Sequence, residues 1–271
     1  VMGSKNLKAI IITGEKDIPL DSDPFNYRGL SRTYKRIWNQ CVKTTAMRKY
    51  HVLGTPENIL PLNELNALPT RNFKQSRFDR AKDISGEKFV ESYLGRRVSC
   101  NTCPVGCIHV AILRERYGKD SPADIHTLAV PYDFELLYAL GSNLEIGNGL
   151  DVLKLIEQTE RYGMDAITTG VVLGWLAEAF EKGLITKDNT NDLELSFGNV
   201  EGFIEAIKRI ASRDNENKDV FWYAGEGLTA LVQKYGGKDF AIMINSHPPA
   251  GYSTGPYTIL GHYIGARHSH L

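Results

Sequence analysis

Residues Ala166 to Lys182 carry apolar side chains on nearly every side. Ile167, Val171, Val172, Trp175, Leu176, Ala179 and Phe180 follow too closely to form one stripe. A helix of that kind cannot lie on a surface, because its exposed faces forgo the free energy of burial. It demands neighbours all round, and Gly183 supplies a left-handed residue to end it.

The sequence offers those neighbours. Phe134 to Leu140 is a short apolar helix. Asp151 to Tyr162 groups Val152, Leu153 and Ile156 and stops at Gly163. Val200 to Ala211 groups Phe203, Ile204, Ile207 and Ile210 behind a capping Asn199, and Gly227 to Tyr235 groups Leu228, Leu231 and Val232 before Gly236. Upstream, Asp23 to about Tyr50 reads as helix, with Pro24 at its first position and Leu30, Tyr34, Ile37, Trp38 and Cys41 on one face. Ser85 opens a short helix with Phe89, Val90, Tyr93 and Leu94. The expected fold class is mainly α.

One β remnant is expected, at the start. Leu7 to Thr13 is β-branched and stopped by Gly14, the pattern of a buried strand. Ile108 to Leu113 is ambiguous between strand and loop, and 115–131 reads as loop. Residues 51–84, with Pro56, Pro61 and Pro69, read as an irregular segment crossing the surface. A buried strand at residue 7 has few partners downstream, and Gly261 to Leu271 ends without a charged tail. Part of the fold is therefore expected outside these residues. The expected organisation is 1–20 as the end of a β domain and 21–271 as a helical region, divisible near 185–200.

Composition narrows the function. The 271 residues balance 32 Lys and Arg against 32 Asp and Glu, which speaks against a nucleic-acid or membrane-surface partner. No apolar run reaches the roughly 18 residues of a membrane helix, and the first residues lack the charged-then-apolar order of a secretory signal. Four cysteines in this length are too few for a disulfide scaffold. A cytoplasmic protein is expected.

Three of those cysteines fall within eight residues, Cys100-Asn101-Thr102-Cys103-Pro104-Val105-Gly106-Cys107. Thiolates are soft anionic donors, and C-x2-C-x3-C lets one loop supply three corners of an iron–sulfur cluster or a structural zinc site. Pro104 and Gly106 suit a loop wrapped around a metal, and Arg96 and Arg97 can offset its negative charge. Cys41, on an apolar helical face, reads as core, and the fourth ligand is expected outside this chain. A second constellation is Glu160-Arg161-Tyr162-Gly163-Met164-Asp165, between two strong helices. Gly163 ends one and Asp165 caps the next. That corner is complete as structure, yet its two carboxylates could also hydrogen-bond a flat heterocycle. Asp133-Phe134-Glu135 precedes an apolar helix, and the i, i+2 spacing lets one acid point inward. His262, His268 and His270 cluster near the end in a Gly-rich segment expected to be loop.

Together these residues resemble the tungsten-containing aldehyde:ferredoxin oxidoreductase family. The likeness runs through Val1 to Ile10, Leu62 to Phe73, the C-x2-C-x3-C run, Tyr138 to Asn143 and Arg161 to Asp165. It implies helical domains of that type without the N-terminal pterin-cradling domain and the C-terminal part. It also implies a [4Fe-4S] cluster on Cys100, Cys103 and Cys107, its fourth cysteine lying past Leu271. A tungsten (or molybdenum) bis-pterin would be bound in part by Glu160, Gly163, Met164 and Asp165. Glu160 stands where the family's D-x-x-G-L-D motif has Asp, and Met164 where it has Leu. The resemblance further implies Glu135 as base and His270 as oxyanion donor, although Arg267-His268-Ser269 departs from the family's S-x-R-G-x-x-H. Implied partners are a small aldehyde and ferredoxin, and a homodimer is compatible. The 271 residues alone, with half the cradle absent, are not expected to oxidise aldehydes. A tungsten-free electron-transfer subunit of the family and a zinc-binding helical domain are the alternatives.

Overall fold

The computed structural model describes residues 5–7, 9–13, 24–101, 103–116, 125–212 and 218–265. The apolar segment forms the helix α7, Ala166–Glu181, with Val171, Leu173, Trp175, Leu176 and Ala177 fully enclosed. Each such Val or Leu side chain contributes about 1.5–3 kcal/mol by leaving water. Around it stand α5 (Phe134–Leu140), α6 (Gly149–Arg161), α8 (Val200–Ala211), α9 (Val220–Gly225) and α10 (Leu228–Tyr235), all joined in one core. Trp175 stacks on Phe240 with centroids 5.6 Å apart, and its indole N–H donates to Gly237 O at 3.1 Å. The fold is mainly α, as expected.

The expected single helix near the start is two, α1 (Pro24–Cys41) and α2 (Thr45–Leu53). Thr44 breaks the run because its hydroxyl accepts from Met47 N at 3.3 Å, capping the second helix. The face of α1 expected to be buried is open among the described residues. Tyr34 and Cys41 are exposed, and Trp38 alone is half-covered, against His51. Cys41 is therefore not core.

Residues 51–84 do not cross the surface. They fold into α3 (Ile59–Glu64) and two 3-10 turns, and Ile59, Leu68 and Ile84 are fully buried. The prolines that suggested a loop sit where helices tolerate them, Pro56 and Pro61 in the first turns. Ser85 caps α4 (Gly86–Ser92) as expected, accepting from Lys88 N at 3.3 Å.

The β structure lies in the middle of the chain. Residues 9–13 have no strand partner among the described residues, and Ile11 and Ile12 are exposed. Instead β1 (Leu94–Val98), β2 (Ile108–Arg116) and β3 (Ile125–Tyr132) form an antiparallel sheet in that order. The stretch expected as loop supplies β3. An edge strand accommodates Pro131 because one side of its backbone needs no ladder partner. The thiols lie in the connection from β1 to β2. The last described helix, α11 (Pro256–Ile264), takes in His262, which was expected in a loop, and exposes Tyr257 and Tyr263. No helix among the described residues is long and apolar enough to cross a membrane.

Candidate functional site

Two antiparallel strands force the chain from Val98 to Ile108 to turn back, and the thiols sit on that turn. Cys100 is exposed, while Cys103 and Cys107 are half-buried. Cys103 N donates to Cys100 O at 3.1 Å, winding the first part of the loop into a tight turn. Burial pushes the Cys107 thiol up, and the charges of Cys103 and Cys100 add to the rise. The three sulfurs therefore share one electrostatic neighbourhood. Among the described residues, no three His, Cys, Asp or Glu side chains converge closely enough to hold one metal ion. The donor set is nonetheless that of a soft-metal cluster: three thiols, gathered on one loop, with Arg96 and Arg97 on the preceding strand. The match to an iron–sulfur cluster is one of donor type, since the described sulfurs do not converge on one ion.

Beside the loop lies a buried histidine. His109 on β2 is fully enclosed, and burial lowers its pKa. Its Nε2 faces His51 O at 3.3 Å and its Nδ1 faces the Tyr132 hydroxyl at 3.4 Å. A carbonyl only accepts, so Nε2 carries the proton and Nδ1 accepts from Tyr132.

A second group forms where α5 begins. Asp133 caps that helix, its carboxylate accepting from Leu136 N at 3.0 Å. Two residues on, Glu135 Oε1 accepts from the Tyr252 hydroxyl at 3.0 Å. Tyr252 stacks on Phe134 at 4.4 Å, so ring packing and hydrogen bond hold it together. Gly251 makes this possible: with φ +84 it passes over the Tyr138 ring, and any side chain there would overlap that ring. Tyr138 is buried beneath and donates to Pro249 O. Burial pushes the Asp133 carboxyl up to about 6, and the charge of Glu135 adds to it. Burial likewise raises Tyr252, so its hydroxyl stays protonated and donates to the carboxylate.

The phenol of Tyr138 feels the charge both of this group and of the Glu160–Asp165 corner. Burial raises its pKa, and the charges of Glu135 and then Asp165 raise it further. The corner itself is built as expected. Gly163 has φ +66, its N–H donates to Glu160 O at 2.9 Å, and Met164 N donates to Thr159 O at 3.1 Å. Asp165 accepts from Thr168 N at 2.7 Å. Glu160, Gly163 and Asp165 are exposed, and Met164 is partly so. Met164 and Asp165 line a cleft of about 310 Å³ whose far wall is the turn from α9 to α10, Gly225 to Gly227. A cavity of about 660 Å³ between Phe73, Met243, Pro249, Ile259 and His262 approaches Tyr138 from another side.

Cys100, Cys103 and Cys107 thus share one loop without converging on a single ion, and the charges of Glu135 and Asp165 both act on Tyr138. Among the described residues, no hydrogen bond, ion pair or ring contact joins the thiol loop to the corner. His262 lies on α11 rather than in a loop, whereas His268 and His270 lie outside the described residues. Tyr252 and His51 carried no motif and were not expected. Their contacts span 117 and 54 residues, beyond what local spacing can signal.

The family model describing domains 2 and 3 of aldehyde ferredoxin oxidoreductase matches residues 31–266. The chain belongs to that family. A tungsten-containing aldehyde ferredoxin oxidoreductase of Thermococcus kodakarensis is 30% identical over 266 residues, which are 98% of this chain and 41% of the relative. The aliphatic sulfonate oxidoreductase WOR-like subunit of Pyrococcus furiosus is 28% identical over 80% of this chain and 33% of its own. The chain thus spans less than half the length of these aldehyde ferredoxin oxidoreductase relatives. Among solved structures, the active-site complex BamBC of benzoyl coenzyme A reductase, bound to 1,5-dienoyl-CoA, superposes with TM-score 0.68 over 99% of this chain and 40% of that one. At 19% identity this shows a shared fold.

Proposed function

We propose that this chain is the thiol- and carboxylate-bearing portion of an oxidoreductase that converts aldehydes to carboxylic acids and delivers the electrons to ferredoxin. The observation that carries the reading is the gathering of three thiols on one loop in a chain of this family. Cys100, Cys103 and Cys107 would hold a [4Fe-4S] cluster. Glu160, Gly163, Met164 and Asp165 would seat one pterin. When bound, the tungsten–bispterin centre supplies two-electron oxidation and the cluster supplies one-electron relay.

Aldehyde and water yield carboxylic acid, two protons and two electrons, so the protein must accept protons beside the substrate. Glu135 is the base of this proposal. Tyr252 fixes its Oε1 at 3.0 Å. Asp133, titrating near 6, offers a second place for the proton. Asp165 and the Gly163 turn would receive donor groups of the heterocycle. His270 would donate to the developing oxyanion.

The test is metal content and turnover of the full-length protein purified without oxygen. Tungsten with iron, and aldehyde-dependent reduction of a viologen dye, are expected. Iron without tungsten would replace this reading with an electron-transfer subunit, and zinc alone would remove the redox function.

A further inference from the structure

Residues 51–54, which close α2, tie down the segment presenting the thiols at three places. On the loop itself, Val105 O lies 2.6 Å from His51 Nδ1. On the strand before it, Arg97 Nη2 donates to Val52 O at 3.1 Å. On the strand after it, His109 Nε2 donates to His51 O at 3.3 Å. The two stems of the loop and its middle are therefore anchored to a single helical turn.

His51 is the tie that reaches between the cysteines. Because a carbonyl only accepts, its Nδ1 carries the proton. Trp38 of α1 meets the imidazole edge-on, with centroids 5.4 Å apart and planes at 84°, and fixes its orientation. Next to Val105, Gly106 turns with φ +66, and a Cβ there would come within 3.4 Å of His51 Nδ1 and 3.5 Å of Ser99 Oγ. The loop bends closely around the ring. Val105 is buried, so without the donor its carbonyl would stand unpaired and the peptide would rotate to find water.

We propose that His51 is a positioning residue for the iron–sulfur site. Its Nδ1–H holds the Val105 carbonyl and thereby sets the spacing of the Cys103 and Cys107 thiols on either side. The role rests on reading the three cysteines as cluster ligands. It acts through the backbone, the way outer partners of metal ligands fix first ligands in place.

The experiment uses the full-length protein reconstituted with iron and sulfide, comparing wild type, His51→Ala and His51→Asn. The asparagine amide nitrogen sits near the position of Nδ1 and restores a donor. Two quantities are read: the rate of iron loss to a chelator, and the cluster's midpoint potential followed by electron paramagnetic resonance. His51→Ala is expected to lose iron roughly 10–100-fold faster and to shift the potential, with His51→Asn restoring both. An alanine variant that matches wild type in both quantities overturns the proposal. So does an asparagine variant as impaired as alanine, which would make the ring's packing against Trp38 the cause. A wild type that takes up no iron defeats the cluster reading itself, a result distinct from a stable cluster indifferent to His51.

Discussion

Helices α5 and α7 both begin with an aspartate that accepts a backbone N–H from three residues on, Asp133 from Leu136 and Asp165 from Thr168. In sequence the two starts look alike. In the folded chain, burial and the neighbouring Glu135 charge push the Asp133 carboxyl up to about 6, whereas Asp165 is exposed and lines a cleft. The same capping device thus sits in two different environments. Enclosure makes one start a place where a proton can be held near neutral pH. Exposure leaves the other open to the cleft, where the proposed heterocycle would meet it.

The largest expected effect separates these roles by kinetics. In the full-length protein, Glu135→Gln should lower aldehyde turnover by about 100-fold or more while tungsten content stays at the wild-type level. Glu160→Gln at the open corner should instead lower tungsten and pterin content, with turnover per tungsten nearly unchanged. Equal losses per tungsten from both would dissolve the distinction. Next in size is a variant that disturbs the contact between the two helices. Gly170 lets α7 lie directly on α5, and a Cβ there would overlap the Ala139 carbonyl. Gly170→Ala should cost about 3 kcal/mol of stability by chemical denaturation, since backbone cannot yield as a side-chain end can. A loss below about 1 kcal/mol would show that the two helices separate easily.

The local half of this comparison was legible in the sequence. Ser85, Asn199, Asp165 and Gly163 act as the caps and stop that their types and spacing foretold. The all-round apolar segment became the central helix for the reason that marked it. What stayed hidden was set by distant partners. Nothing near Glu135 announces Tyr252, and nothing near Val105 announces His51. Strand β3 escaped notice because Pro131 argues against a strand unless the strand lies at an edge, and edges are a property of the sheet. The opening Leu7–Thr13 run erred the other way: apolar β-branched residues expected to pair have no partner strand among the described residues.

The third effect is in pH. Below about 4 the Asp133 carboxyl is protonated in both folded and unfolded chains, so it contributes no difference. Between about 4 and about 6 the unfolded chain has released the proton while the folded chain retains it, and stability falls as pH rises. Above that window the folded state carries the full cost of a buried charge beside Glu135. Asp133→Asn keeps a capping oxygen without the charge. It should leave stability unchanged below pH 4 and raise it by about 3 kcal/mol at pH 8. A pH-independent difference in urea unfolding would mean that the raised carboxyl is not Asp133.

The smallest effect tests whether the open start is held by its cap alone. Asp165→Ala removes the 2.7 Å acceptor from Thr168 N and should cost about 1 kcal/mol, the ordinary worth of an N-cap. Asp165→Asn should recover most of it, because the amide oxygen can take the same hydrogen bond. If alanine costs much more and asparagine fails to recover it, the carboxylate charge is stabilising something besides the helix end. The group within its field is the Tyr138 phenol, whose pKa it helps to raise. A negative charge cannot stabilise a neutral phenol to that degree, so a large loss would require a cation or donor in the cleft by Gly227. Measuring the pair with and without added pterin would then show whether that partner is the ligand.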